Sequence, residues 1–103
     1  MPYFVYLLEC RDGSYYCGFT KNVAARLSAH NKGTGAKYTR ARRPVKLVYF
    51  EGKKTLKTAM RRELEIKSFP HSRKRAMIAS RAMYAFLNVF RPKMVLWDRI
   101  IGR

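Results

Sequence analysis

Tyr3-Phe4-Val5-Tyr6-Leu7-Leu8-Glu9-Cys10, then Arg11-Asp12-Gly13-Ser14, then Tyr15-Tyr16-Cys17-Gly18-Phe19 decides the fold. The first and last runs are rich in aromatic and β-branched residues, which suit a pleated surface. Between them, Asp12-Gly13 carries turn chemistry, so the pair reads as a β-hairpin. A three-residue turn through Arg11-Asp12-Gly13 would pair Cys10 with Ser14, Leu8 with Tyr16 and Tyr6 with Gly18. Tyr6 and Tyr16 then share one face as diagonal neighbours. A two-residue Asp12-Gly13 turn would pair Glu9 with Tyr16 and separate the tyrosines, because a one-residue slip inverts every side chain. The expectation is the first register.

Working outward, Asn22 is a helix N-cap for a segment through Val23, Leu27 and Asn31, stopped at Gly33 and Gly35. A loop from Gly33 to Pro44 follows, crowded with Lys37, Tyr38, Arg40, Arg42 and Arg43. Val45 to Phe50 reads as a third strand. Thr55 caps a second helix to about Ser68, Pro70 marks its end, and a third helix runs from about Ser72 to Phe90, before Pro92. The order β-β-α-β-α-α predicts an α+β fold: a small three-stranded sheet with helices packed on it. Residues 1–75 form the main unit. Residues 76–103, a helix and an apolar tail (Met94-Val95-Leu96-Trp97 to Ile100-Ile101), are expected to dock on the same domain.

Charge narrows the function. In 103 residues, 23 Lys and Arg face 6 Asp and Glu, a net charge of +17 that a small apolar metabolite would not require. A polyanion would, since each neutralised phosphate releases condensed counterions, so nucleic acid is the first partner to consider. Cys10 and Cys17 form no CxxC pair, which excludes a Cys-rich zinc site and a disulfide framework and predicts two buried thiols. Neither a signal peptide nor an apolar run of membrane-spanning length is expected. The predicted setting is cytoplasmic and nucleoid-facing, with no membrane partner.

Two helices carry polar groups on apolar faces. With Leu56 at 0° and about 100° per residue, Ala59, Met60, Leu64 and Ile66 define an arc with Glu63 at about −20° inside it and Glu65 opposite. A carboxylate in that arc is costly without a cation, which points either to an arginine partner or to a metal. On the first helix Arg26 and His30, four apart, share a face beside Val23 and Leu27. Phosphodiester hydrolysis needs a base for water, positive charge for the phosphorane, and a metal or acid for the leaving oxygen. A tyrosine is a poor base at neutral pH, so Arg26, Lys37 and a metal are expected to lower its pKa.

Phe4-Val5-Tyr6, Tyr16-Cys17-Gly18 and Arg26 ten residues after Tyr16 resemble the GIY-YIG nuclease superfamily. The likeness extends from about Tyr3 to Lys67. It is nearest to the small single-domain bacterial branch and similar also to junction-resolving nuclease subunits. Ala29-His30-Asn31-Lys32-Gly33-Thr34-Gly35-Ala36-Lys37-Tyr38-Thr39 carries much of it. The resemblance implies that Tyr6 and Tyr16 surround the attacking water, with Tyr16 as base, that Arg26 steadies the phosphate and that His30 moves a proton. It further implies that Glu63 holds one divalent ion, Mg²⁺ or Mn²⁺, and that Lys37 and Tyr38 approach the phosphate. Arg40, Arg42 and Arg43 join them as expected nucleic-acid contacts. Phe4, Val5 and Cys17 depart from the motif without removing a reactive group. Phe19 stands where some repair nucleases have lysine, and the downstream Asn of several members has no counterpart after Pro70.

The expected activity is metal-dependent DNA endonuclease, of low sequence selectivity because no specificity module is attached. Branched or damaged DNA fits as substrate, RNA is left open, and a protein partner could supply selectivity. The rival is a basic module of the same fold that binds nucleic acid without cutting it.

Overall fold

The computed structural model describes residues 2–90, with backbone alone for residues 82–90. The apolar tail lies outside the described residues. Seven elements follow in order: β1 (Tyr3–Glu9), β2 (Tyr15–Thr20), α1 (Val23–Lys32), α2 (Lys37–Arg40), β3 (Lys46–Lys53), α3 (Leu56–Lys67) and α4 (His71–Phe90). This is the expected α+β order with one short helix, α2, added inside the predicted loop. The strands form one antiparallel sheet with β1 in the middle, in the order β2-β1-β3.

The hairpin takes the three-residue turn. Cys10 N–H donates to the Ser14 carbonyl at 2.8 Å, Gly13 N–H donates to the Cys10 carbonyl at 2.9 Å, and Gly13 has φ of 85°. The Asp12 carboxylate braces the turn by accepting from Ser14 N–H and Oγ. Leu8 therefore faces Tyr16, and Tyr6 faces Gly18.

Alternation along the strands builds a core on each face of the sheet. Val5, Leu7 and Cys17 pack with Ala59 and Ile66 of α3, while Met77 and Ile78 of α4 close the same side. Tyr6, Leu8, Cys10 and Val45 pack on the other side with Tyr16, Leu47 and Leu27 of α1. Both thiols are buried and unpaired.

Asn22 caps α1 by accepting from Ala25 N–H at 3.0 Å, and Thr55 and Thr58 cap α3 reciprocally. Such caps contribute about 1 kcal/mol each. On α3 the buried side is centred on Ala59 and Ile66, whereas Leu56, Met60 and Leu64 are exposed. The apolar arc expected from the wheel is thus rotated. Small Ala59 lets the helix approach the sheet, and the larger residues flank that contact rather than enter it. Arg62 ties α3 to β3: its Nε donates to Glu51 at 2.5 Å and its Nη1 to Glu65 at 2.7 Å. Burial alone would raise the Glu51 pKa, but hydrogen bonds from Arg62 and Tyr49 bring it below the ordinary value.

His71 fixes the start of α4, stacking on Tyr15 with ring centroids 4.5 Å apart and approaching the Gly13 carbonyl at 3.1 Å. From there α4 runs unbroken through residue 75. No helix among the described residues is long and apolar enough to cross a membrane.

Candidate active site

The face of the sheet covered by α1 and α2 gathers four of the residues singled out in the sequence. Tyr6 projects from the centre of β1 and Tyr16 from the edge strand β2. The hairpin register puts them on this face together. His30, from the last turn of α1, is fully buried between them. Its Nε2 lies 2.9 Å from the Tyr6 hydroxyl, and its ring meets that of Tyr16 edge-on with centroids 5.1 Å apart. Arg26, one turn earlier on the same helix face, donates from Nη2 to the Gly35 carbonyl at 3.2 Å, and its positive charge acts on the Tyr6 phenol.

The electrostatics differ from the sequence expectation. Burial pushes the Tyr6 phenol up to about 12, and Arg26 only partly opposes it. The cations near the site therefore do not lower this tyrosine's pKa, because loss of hydration outweighs one guanidinium. His30 is shifted the other way. Burial, and then the positive charge of Arg26, hold its pKa below the ordinary value, so it is neutral at pH 7 and has a lone pair to offer.

Backbone shape makes room for this pairing. A methyl at Gly18 would collide with the Tyr6 hydroxyl, and one at Gly35 would lie 2.5 Å from His30 Nδ1. Thr39, buried on α2, places its Oγ1 2.7 Å from the same Nδ1. Sequence reading missed Thr39. Its only signal was a place at the end of the stretch beginning at Ala29, because nothing in a loop reading turns it inward.

The loop cations divide into two kinds. Arg42 is engaged: Nε donates to Asp12 at 3.1 Å, Nη1 donates to the Tyr38 carbonyl, and the guanidinium lies 3.8 Å over the Tyr38 ring. Arg43 donates to the Arg40 carbonyl at 2.9 Å and approaches the Asn31 carbonyl. Asn31, which periodicity alone did not single out, brackets the Val45 backbone with bonds of 2.8 and 2.9 Å and so fixes the end of the loop. Lys37 and Arg40 are exposed and have no ion pair among the described residues. Tyr38 stacks on Tyr16 at 6.1 Å and joins the loop to the tyrosine pair.

Glu63 is not in this group. It belongs to α3, on the face of the sheet opposite the tyrosines, and its carboxylate meets Lys67 at 3.5 Å rather than Arg26. Its side chain is 14% exposed. The Cys17 sulfur lies 3.8 Å from its backbone carbonyl, and burial, then the Glu63 charge, push that thiol up to about 12, so it offers no thiolate. No group of three or more His, Cys, Asp and Glu gathers among the described residues. A single carboxylate suits only a hard, largely hydrated ion of the Mg²⁺ type, and that ion would have to replace Lys67.

Comparison with known proteins agrees with the fold and the motif spacing. The description "GIY-YIG catalytic domain" matches residues 2–76. The UPF0213 protein SH2523 of Staphylococcus haemolyticus is 52% identical over 79 residues, covering 77% of this chain and 96% of that protein. The UPF0213 protein SAV0488 of Staphylococcus aureus is 49% identical over the same shares. Among solved structures, the UPF0213 protein BH0048 of Bacillus halodurans is 42% identical with a TM-score of 0.50, covering 77% of this chain and 84% of that one. EF2693 of E. faecalis is 34% identical with a TM-score of 0.55, covering 81% and 88%. With its hairpin tyrosines, helix arginine and matched span, the chain belongs to the GIY-YIG family of the nuclease superfamily.

Proposed function

We propose that the protein is a DNA endonuclease that hydrolyses phosphodiester bonds with low sequence selectivity, acting in the cytoplasm on nucleoid DNA. The observation that carries this reading is the 2.9 Å contact between Tyr6 and a buried, neutral His30 beside Arg26. Binding alone needs charge, and has no use for a buried phenol–imidazole pair.

Tyr16, the more accessible tyrosine, orients the attacking water. Tyr6 accepts the water's proton as its own passes to His30 Nε2. The hydroxide forms the new P–O bond, the bond to the leaving oxygen breaks, and that oxygen takes a proton from solvent. This reverses the roles the motif alone suggested, since Tyr6 is the phenol whose proton has an acceptor. Arg26 supplies positive charge to the phosphorane. Glu63 would hold a divalent ion with Lys67 displaced, and from its own side of the sheet that ion would supply positive charge to the bound DNA backbone. Lys37 and Arg40 contact the flanking phosphates.

The rival reading, a module that binds without cutting, is favoured by one observation: Glu63 pairs with Lys67 across the sheet from the tyrosines. Labelled duplex, flap, junction and single-stranded DNAs and an RNA, incubated with Mg²⁺, Mn²⁺ or chelator, separate the two. Cleavage of a DNA that chelator abolishes and Tyr6→Phe lowers by about 100-fold or more supports the nuclease. Tight binding with no cleavage of any substrate supports the module.

A further inference from the structure

The role of Thr39 follows from counting protons along the buried hydrogen-bond chain, and it rests on the reading of Tyr6 and His30 as a proton path. The Tyr6 hydroxyl lies 2.9 Å from His30 Nε2. It can donate there only if Nε2 carries the lone pair and Nδ1 the hydrogen. Nδ1 lies 2.7 Å from Thr39 Oγ1, and that hydroxyl has a second neighbour, the Ala36 carbonyl at 3.1 Å. A carbonyl only accepts, so the threonine proton goes to Ala36 and its lone pair receives Nδ1–H. Every proton from Tyr6 to Ala36 then has one place.

We propose that Thr39 is a positioning residue that holds His30 in the Nδ1–H tautomer, so that Nε2 stays available to the Tyr6 proton. Neutral imidazole in water prefers the opposite tautomer, with hydrogen on Nε2. That form would point a donor at Tyr6 and leave its proton without an acceptor. The second ring nitrogen's hydrogen bond selects the tautomer, as it does in metal and triad histidines. Bulk water cannot substitute, because His30 and Thr39 are both fully buried and the Gly35 backbone closes on the Nδ1 corner. The titratable or charged groups facing the ring are Tyr6 from β1, Tyr16 from β2 and Arg26 from its own helix. From α2 the threonine hydroxyl meets the ring at Nδ1.

The test combines a spectroscopic reading with a rate. The chain has only two histidines, so ¹⁵N-histidine spectra, with His71→Gln for assignment, report the protonated nitrogen of His30 directly. Wild type should show the hydrogen on Nδ1. Thr39→Val keeps the shape, removes the hydroxyl, and should move hydrogen to Nε2 and slow single-turnover cleavage on the order of 10- to 100-fold. Duplex affinity should stay within about twofold. Thr39→Ser should restore both tautomer and rate. Hydrogen on Nε2 in wild type overturns the proposal even if Thr39→Val does not fold. So does a folded Thr39→Val with unchanged tautomer and rate. If wild type cuts no DNA, the nuclease reading fails by itself, and the spectra still decide the role of Thr39.

Discussion

Gly18 and Tyr6 face each other across the β1–β2 ladder, and a methyl on Gly18 would stand 2.5 Å from the Tyr6 hydroxyl oxygen and 2.7 Å from Cζ. The phenol lies across the bare backbone of its partner, which is how a long side chain on a central strand reaches His30. Gly18→Ala should therefore push the hydroxyl off Nε2. We expect a loss of about 1–3 kcal/mol in urea unfolding, typical of overpacking, and cleavage reduced more than tenfold. A variant with wild-type activity would show that Tyr6 need not sit where it does.

The division among the loop cations predicts two different phenotypes. Lys37→Ala with Arg40→Ala should leave stability within about 0.5 kcal/mol and make the slope of log affinity against log salt shallower by about two units. Wild type, neutralising about five phosphates, should show a slope of roughly −4 to −5. Arg42→Ala should instead lower stability by about 1 kcal/mol, because it removes the Asp12 pair and the cover of Tyr38. Salt titrations beside denaturant melts distinguish them.

Glu63→Gln should abolish divalent-dependent cleavage while DNA affinity stays the same or rises, since the cationic loop lies on another element. Glu65→Gln, whose carboxylate meets Arg62 at the surface, is the control and should retain activity. Cleavage by Glu63→Gln at the wild-type rate would remove this carboxylate from the reaction.

His30 makes stability depend on pH. Its folded pKa lies below the unfolded value of about 6.5, so the unfolded chain binds more protons as pH falls. The contribution is fully present above pH 6.5 and is lost as pH drops through the folded pKa. The slope of unfolding free energy should approach one proton in that window, above the range where Asp12 and Glu51 titrate. His30→Gln should remove it. Urea unfolding at pH 7.5 and at half-unit steps down to pH 5 provides the comparison.

Much of the site was legible because turn chemistry and strand alternation are local. Asp12-Gly13 set the register, and the register put Tyr6 and Tyr16 on one face. Helix spacing likewise put Arg26 and His30 side by side. What failed depended on distant contacts. Thr39 turns inward only because α2 winds one turn within a loop whose far end Asn31 holds. The α3 wheel counted Leu56, Met60 and Leu64 as core, but the contact with the sheet formed at Ala59, where close approach is possible. The face of the sheet that α3 covers depends on the crossing from β3, which periodicity within the helix does not report. The tyrosine pKa went the wrong way because charge can be counted in a sequence, whereas burial cannot.

The order β2-β1-β3 also has a consequence in time. The first strand made is the central one, and its second neighbour is synthesised only after β2, α1 and α2. At about 5–20 residues per second, the nascent hairpin waits on the order of seconds with one side of β1 unpaired. During that interval the backbone of β1 offers a row of open hydrogen-bonding groups beside Val5 and Leu7, a template for strand addition by another chain. The interval closes when Lys46–Lys53 arrives and pairs along β1.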